Sequence, residues 1–231
     1  MCGRFVQVEK PEFYAEWFGA EFVRTETLTP RYNVAPTTKI YAVAEHENAR
    51  VLTSFRWGLI PSWAKDEKIG ARAINARSET APEKPMFRSS FAGRRCLIPV
   101  DGFYEWERRK KGKLPHYVHT TNGEPLPVAG LWSSWHDSQT DDRVLTCTIL
   151  TGPPNRVVGK IHDRMPMILP RDRWDAWLDP DNADIDELRA LLEVYPGHDM
   201  TEYPVSTLVN MVSNDTPDLI KRLDTPAVDE T

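Results

Sequence analysis

Arg94-Arg-Cys-Leu-Ile-Pro-Val-Asp-Gly-Phe-Tyr-Glu-Trp-Glu-Arg108 reads as two β-strands, 94 to 100 and 103 to 108, joined through the turn signal Asp101-Gly102. The same pattern extends to both sides. Residues 39 to 44 and 51 to 57 form an expected hairpin around a polar stretch, and further strands are expected at 116 to 119, 127 to 131 and 144 to 150. Helical patterns are short and lie outside this run: 11 to 18, opened by Pro11 and closed near Gly19, then 86 to 92, 171 to 178 and 185 to 194. Residues 25 to 38 read as turn-rich, 151 to 156 start a short helix, and 204 to 220 read as a last turn-and-helix segment. Strands outnumber helices up to residue 150 without βαβ alternation. The expected class is therefore α+β: one domain with a mixed, mostly antiparallel sheet or barrel-like core and peripheral helices, spanning 1–222, with 223–231 a short disordered tail.

Composition fits a folded chain able to build a core: 231 residues, 40% hydrophobic, 27% charged, 10% aromatic. No apolar run reaches membrane-span length and no signal-peptide pattern precedes Cys2, so the expected location is the cytoplasm with no membrane contact. Three widely spaced cysteines suit neither a disulfide framework nor, without a CxxC pair, a zinc site. Cys96 and Cys147 sit in strand-like stretches as small hydrophobes, which leaves Cys2 as the one placed for chemistry. The net charge of −5 is uneven: residues 171–231 carry 15 acidic and 5 basic side chains, so the first 170 residues are mildly basic. A locally positive face on an acidic protein is compatible with a phosphate backbone as partner.

If Met1 is removed, Cys2 carries an α-amine and a thiol on adjacent carbons, a 1,2-aminothiol with both groups titrating around pH 8. Glu105 lies mid-strand among aromatics, and alternation puts it on one face with Phe103 and Glu107; pointing inward, its carboxyl would have its pKa raised by desolvation toward general acid–base use, and pointing outward it is a plain surface carboxylate. His162-Asp-Arg-Met-Pro166 couples a proton shuttle to a guanidinium able to hold an anion, or else forms a local ion-pair cluster. Asn75 and Arg77, two apart, share a face if extended and suit a sugar–phosphate unit. Trp57 and Trp63 offer flat faces to bases, with a core position the alternative for Trp57. Two other patterns carry no chemistry: Gly152 to Lys160 has the wrong spacing for a phosphate loop, and His116 and His119, three apart on a strand, face opposite ways. The basic run Arg108 to Lys113 reads as a solvated hairpin tip.

The order of these stretches is more specific than any of them singly. Met1-Cys-Gly-Arg-Phe5, Arg31-Tyr-Asn-Val-Ala-Pro36, Trp57-Gly-Leu-Ile-Pro-Ser-Trp63, Asn75-Ala-Arg77, Phe103-Tyr-Glu-Trp106, His162-Asp-Arg-Met-Pro166 and Pro204-Val-Ser-Thr-Leu-Val-Asn210 together closely resemble the SOS-response-associated peptidase (SRAP) family, from Cys2 to about Ile220. The resemblance implies a monomeric sensor of abasic sites in single-stranded DNA that needs no cofactor and no metal. It would crosslink itself to the lesion aldehyde as a thiazolidine through Cys2. It further implies that Glu105 moves protons, His162 assists ring opening and reversal, and Asn75 positions the terminus or sugar. Arg77 and Arg164 would hold phosphates, with Arg4 contributing, while Pro36 and Trp63 wedge or stack against bases. Some family members carry a second aromatic after the Trp63 position, where this chain has Ala64, which bears on duplex separation. Two alternatives stand beside this reading: an N-terminal-cysteine hydrolase, amidotransferase-like or autoprocessing, and a non-covalent single-strand binder with Cys2 incidental.

Overall fold

The computed structural model describes residues 2–223, so all but the first residue of the expected tail lies outside them. Leu223 itself donates its N–H to Pro204 O at 3.0 Å. In chain order the elements are β1 (Phe5–Gln7), α1 (Pro11–Phe18), β2 (Phe22–Val23), β3 (Arg31–Val34), β4 (Lys39–His46), β5 (Ala49–Trp57), β6 (Asn75–Arg77), α2 (Arg88–Gly93) and β7 (Arg95–Val100). They continue with β8 (Gly102–Arg108), β9 (Lys113–Thr120), β10 (Leu126–His136), β11 (Arg143–Gly152), β12 (Met165–Pro166), α3 (Trp174–Leu178), α4 (Ile185–Leu191) and β13 (Met200–Pro204), with short 3-10 turns between.

Two sheets share the work. One is antiparallel and five-stranded, in the order β13-β9-β8-β1-β3. In the other, β11-β10-β7-β4-β5 closes on itself because β5 pairs in parallel back to β11 (Thr146 with Arg56, Cys147 with Trp57), giving a five-stranded barrel with β2, β6 and β12 attached. The α+β class and the barrel-like, mostly antiparallel core are as expected. The β4–β5 hairpin forms around Glu47 and Asn48, both left-handed (φ 54 and 60), the geometry of the tight turn that matches strand twist.

Asp101-Gly102 does not fold β7 and β8 onto each other. It hands the chain from the barrel to the five-stranded sheet, since β7 pairs with β10 and β4 while β8 pairs with β1 and β9. Gly102 is required there: a Cβ would overlap the phenol ring of Tyr117. Asp101 braces the corner, accepting from Val8 N–H and Tyr14 O–H, both at 2.7 Å.

Other expectations shift in detail. The turn-rich stretch before residue 38 contains β3, and β1, β6 and β13 are too short or too irregular in pattern to read locally. The helix expected over 171 to 178 is split into a 3-10 turn and α3, and α4 ends at Leu191. Cys96 and Cys147 are buried free thiols. Trp57 is fully buried, its indole N–H donating to Ile74 O at 2.8 Å, so it is a core residue and not a base platform. Among the described residues no helix is long and apolar enough to cross a membrane.

Candidate active site at the amino terminus

β1 lies between β3 and β8, with Phe5 opposite both Val34 and Phe103, and Tyr104 N–H donates to Arg4 O at 3.0 Å. Residues 2–4 therefore run beside the part of β8 that carries Glu105. Cys2 is completely buried. Its Sγ lies 3.9 Å from Arg4 O, and burial, with Glu105 adding to it, pushes the thiol well above its ordinary pKa.

Asn75 Nδ2 donates to Cys2 O at 2.7 Å. It can do so because β6 pairs in parallel with β11, Asn75 opposite Ile149, at the mouth of the barrel. Alternation buries Ala76 and puts Arg77 on the Asn75 side, exposed. Asn75 Oδ1 is buried with no hydrogen-bond partner among the described residues.

Glu105 is 2% exposed, as expected for an inward-facing strand carboxylate. Burial raises its pKa above the usual carboxylate value, opposed by the nearby positive charge that His162 can carry. His162 Nε2 lies 4.0 Å from Glu105 Oε2. The ring is set by its own loop: Nδ1 accepts from Arg164 N–H at 3.0 Å and sits 3.0 Å from Asp163 Oδ1. Cys2, Asn75, Glu105 and His162 are thus drawn from four separate stretches into one cluster. Among the described residues there is no grouping that could hold a metal ion.

The expected DNA contacts divide. Trp63 is 60% exposed on its loop, Arg77 is exposed and Pro36 half-buried. Arg164 is engaged by a bidentate pair with Glu79 (2.5 and 2.9 Å) and by Thr151 O, and this guanidinium holds the Glu79 carboxyl below its usual value. Arg4 is tied down as well, donating to Asn33 Oδ1 (2.8 Å), Val209 O (3.0 Å) and Asn210 O (3.3 Å).

Asn33, within the Arg31–Pro36 motif, belongs to the framework behind the site and accepts from Arg4. It is fully buried, and its Nδ2 is shared among Val209 O, Met211 O and Asn214 O. With Asp215, which accepts from Tyr32 N–H (2.6 Å) and Asn33 N–H (3.0 Å), it pins the segment 207–215 against the start of the chain. A polar residue flanked by strand formers was the only local sign of this. Trp106, next to Glu105, reaches the same segment through its indole N–H to Asn210 Oδ1 (2.8 Å).

Known proteins resemble this chain in sequence and in fold. A sequence model described as SOS response associated peptidase (SRAP) matches residues 1–212. Abasic site processing protein YoqW of Bacillus subtilis is 43% identical over 223 residues, covering 96% of this chain and 99% of that one. YoaM, an abasic site processing protein of the same organism, is 42% identical over 222 residues, 95% and 97% of the two chains. A crystal structure of a protein from Bacteroides thetaiotaomicron superimposes with a TM-score of 0.86 at 25% identity, covering 96% of this chain and all of the other.

Proposed function

Since the chain belongs to the SOS response associated peptidase (SRAP) family, we propose that it processes abasic sites, binding single-stranded DNA as a monomer and crosslinking to the lesion through Cys2 once Met1 is removed. The observation that carries the reading is the 2.7 Å hydrogen bond from Asn75 to the Cys2 carbonyl, which holds the nucleophile beside a buried carboxyl and a histidine.

The ring-opened abasic sugar is an aldehyde. The Cys2 amine adds to its carbon, the carbinolamine loses water to give an imine, and the thiol then adds to the imine carbon, its proton passing to nitrogen. One water leaves, no electrons are transferred and no cofactor is needed. Burial disfavours the thiolate, so the amine attacks first and the thiol closes the ring on the more electrophilic imine carbon. Glu105, whose carboxyl is pushed above its ordinary pKa by burial, supplies the proton to the departing hydroxyl. His162 takes and returns a proton at the sugar ring during opening and reversal. Asn75 orients the terminus, and its free Oδ1 accepts from the sugar. Arg77 meets a flanking phosphate, and Trp63 and Pro36 meet the bases next to the lesion.

Incubating the protein with single-stranded DNA carrying one abasic site should give a heat-stable adduct on a denaturing gel. Cys2→Ala should abolish it and Glu105→Gln should slow it. Adduct formation by Cys2→Ala would overturn the thiazolidine route, and the absence of adduct with the intact protein, its terminal Cys2 verified by mass, would overturn crosslinking altogether.

A further inference from the structure

The strand that carries Glu105 runs on into a basic hairpin tip, Arg108-Arg-Lys-Lys-Gly-Lys113, whose turn is closed by Arg109 N–H to Gly112 O (3.2 Å) with Gly112 left-handed at φ 81. Arg108 is the third residue past Glu105, so the tip begins about 10 Å from the site. Arg109 pairs with Glu107 at 2.9 Å. Arg108 has no ion pair among the described residues and lies directly opposite Lys113 in the β8–β9 register. Like charges facing each other across a hairpin are unfavourable unless an anion sits between them.

Alternation places Trp106 and Arg108 on one face of β8, away from Glu105 and Glu107. A recess of about 360 Å³ opens at this point. Its walls are Trp106, Glu107 and Arg108 on one side and Lys160, Ile161, His162 and Asp163 on the other, from a 3-10 turn (Val158–Lys160) and the loop after it; the two carboxylates already face cationic partners, Glu107 with Arg109 at 2.9 Å and Asp163 with His162 at 3.0 Å. Lys160, like Arg108, is exposed and without an ion pair among the described residues. A half-buried indole and two cations without ion pairs, from two separate elements, therefore line one recess beside a residue of the crosslinking cluster.

We propose that this recess and the hairpin tip form a phosphate track for the single strand leading away from the lesion: the neighbouring base lies against Trp106, and its phosphates sit between Arg108 and Lys160. This rests on the reading of the chain as a single-strand DNA protein, and it adds a nucleotide subsite on the β8–β9 side of Cys2. It also locates part of the positive surface that the charge imbalance along the chain foreshadows.

The test is the salt dependence of binding to an undamaged oligothymidylate, which needs no chemistry. For Arg108→Gln/Lys160→Gln, the slope of log K against log salt should become shallower by about 1.4, two phosphate contacts at ~0.7 each on a single strand. A charge-matched control remote from the recess, Lys10→Gln/Lys221→Gln, should keep the original slope. An unchanged slope in the first variant, or an equal change in the control, overturns the track. An intact protein that binds no single strand at all would overturn the function proposed above instead. All four positions are exposed, so thermal unfolding of both variants should match that of the parent.

Discussion

Asn75 and Cys2, 73 residues apart in sequence, are joined by a 2.7 Å hydrogen bond from the amide nitrogen to the carbonyl oxygen. That contact sets where the reactive residue sits relative to Glu105 and His162. Reaction within such a cluster depends on alignment, and a displacement near 1 Å can cost about 100-fold in rate.

Asn75→Asp keeps the shape and removes the donor. It also sets a second acidic group beside Glu105. We expect single-turnover adduct formation, measured at a temperature where the variant is fully folded, to slow by about 10- to 100-fold, equivalent to roughly 1.4–2.7 kcal/mol. An unaltered rate in a quenched time course would remove Asn75 from the positioning role.

Trp63 is 60% exposed, so Trp63→Ala should leave the melting temperature where it is. If the indole stacks on a base, single-strand affinity falls by about 1–3 kcal/mol, measured by fluorescence anisotropy. Equal affinity for both proteins would make the exposed indole irrelevant to DNA.

Asp101, at the corner between β7 and β8, has its pKa raised to about 6 by burial, only partly offset by its hydrogen bonds from Val8 and Tyr14. The folded state thus binds this proton more tightly than the unfolded state. Its stabilising contribution is complete below the unfolded carboxyl pKa and is lost as pH rises through about 6. A rise of about two units corresponds to about 3 kcal/mol. Asp101→Asn, which cannot titrate, should therefore flatten the fall in urea-unfolding free energy between pH 4 and 7; an identical pH profile would contradict the assignment.

Arg95 is 2% exposed and donates to the carbonyls of Phe91, Trp177, Asp179 and Asn182, tying α2 and α3 to β7. Burial lowers its pKa to about 10, still charged at neutral pH. Arg95→Ala orphans these acceptors and leaves a void. The expected loss is about 3–5 kcal/mol, or a drop of roughly 6–20 °C in melting temperature. Adduct formation at 25 °C by the fraction still folded should be normal, because none of these contacts touches the site. A shift of under 2 °C would mean that water replaces the guanidinium without cost.

Elements with a strong local signature were legible in the sequence. Alternation and turn residues marked the β4–β5 and β8–β9 hairpins, and Pro11 and Gly19 bracketed α1, because those patterns report interactions between near neighbours. The family resemblance also pointed to Cys2, Asn75, Glu105 and His162 as one chemical set; strand periodicity put Glu105 on one face with Phe103 and Glu107, and only the structure showed that it is buried. The tertiary structure alone decided that Asp101-Gly102 parts two sheets, that Trp57 fills the barrel, and that Arg4 and Arg164 already hold partners within the protein. It alone showed a three-residue strand, β6, carrying Asn75 to the amino terminus. Parallel pairing of β6 and β5 with β11 joins segments some 75 to 90 residues apart, and such contacts are selected by global packing and leave no periodic trace in the chain. The residue types at the site could be read one by one, whereas the distances that let them act together exist only once the barrel has closed.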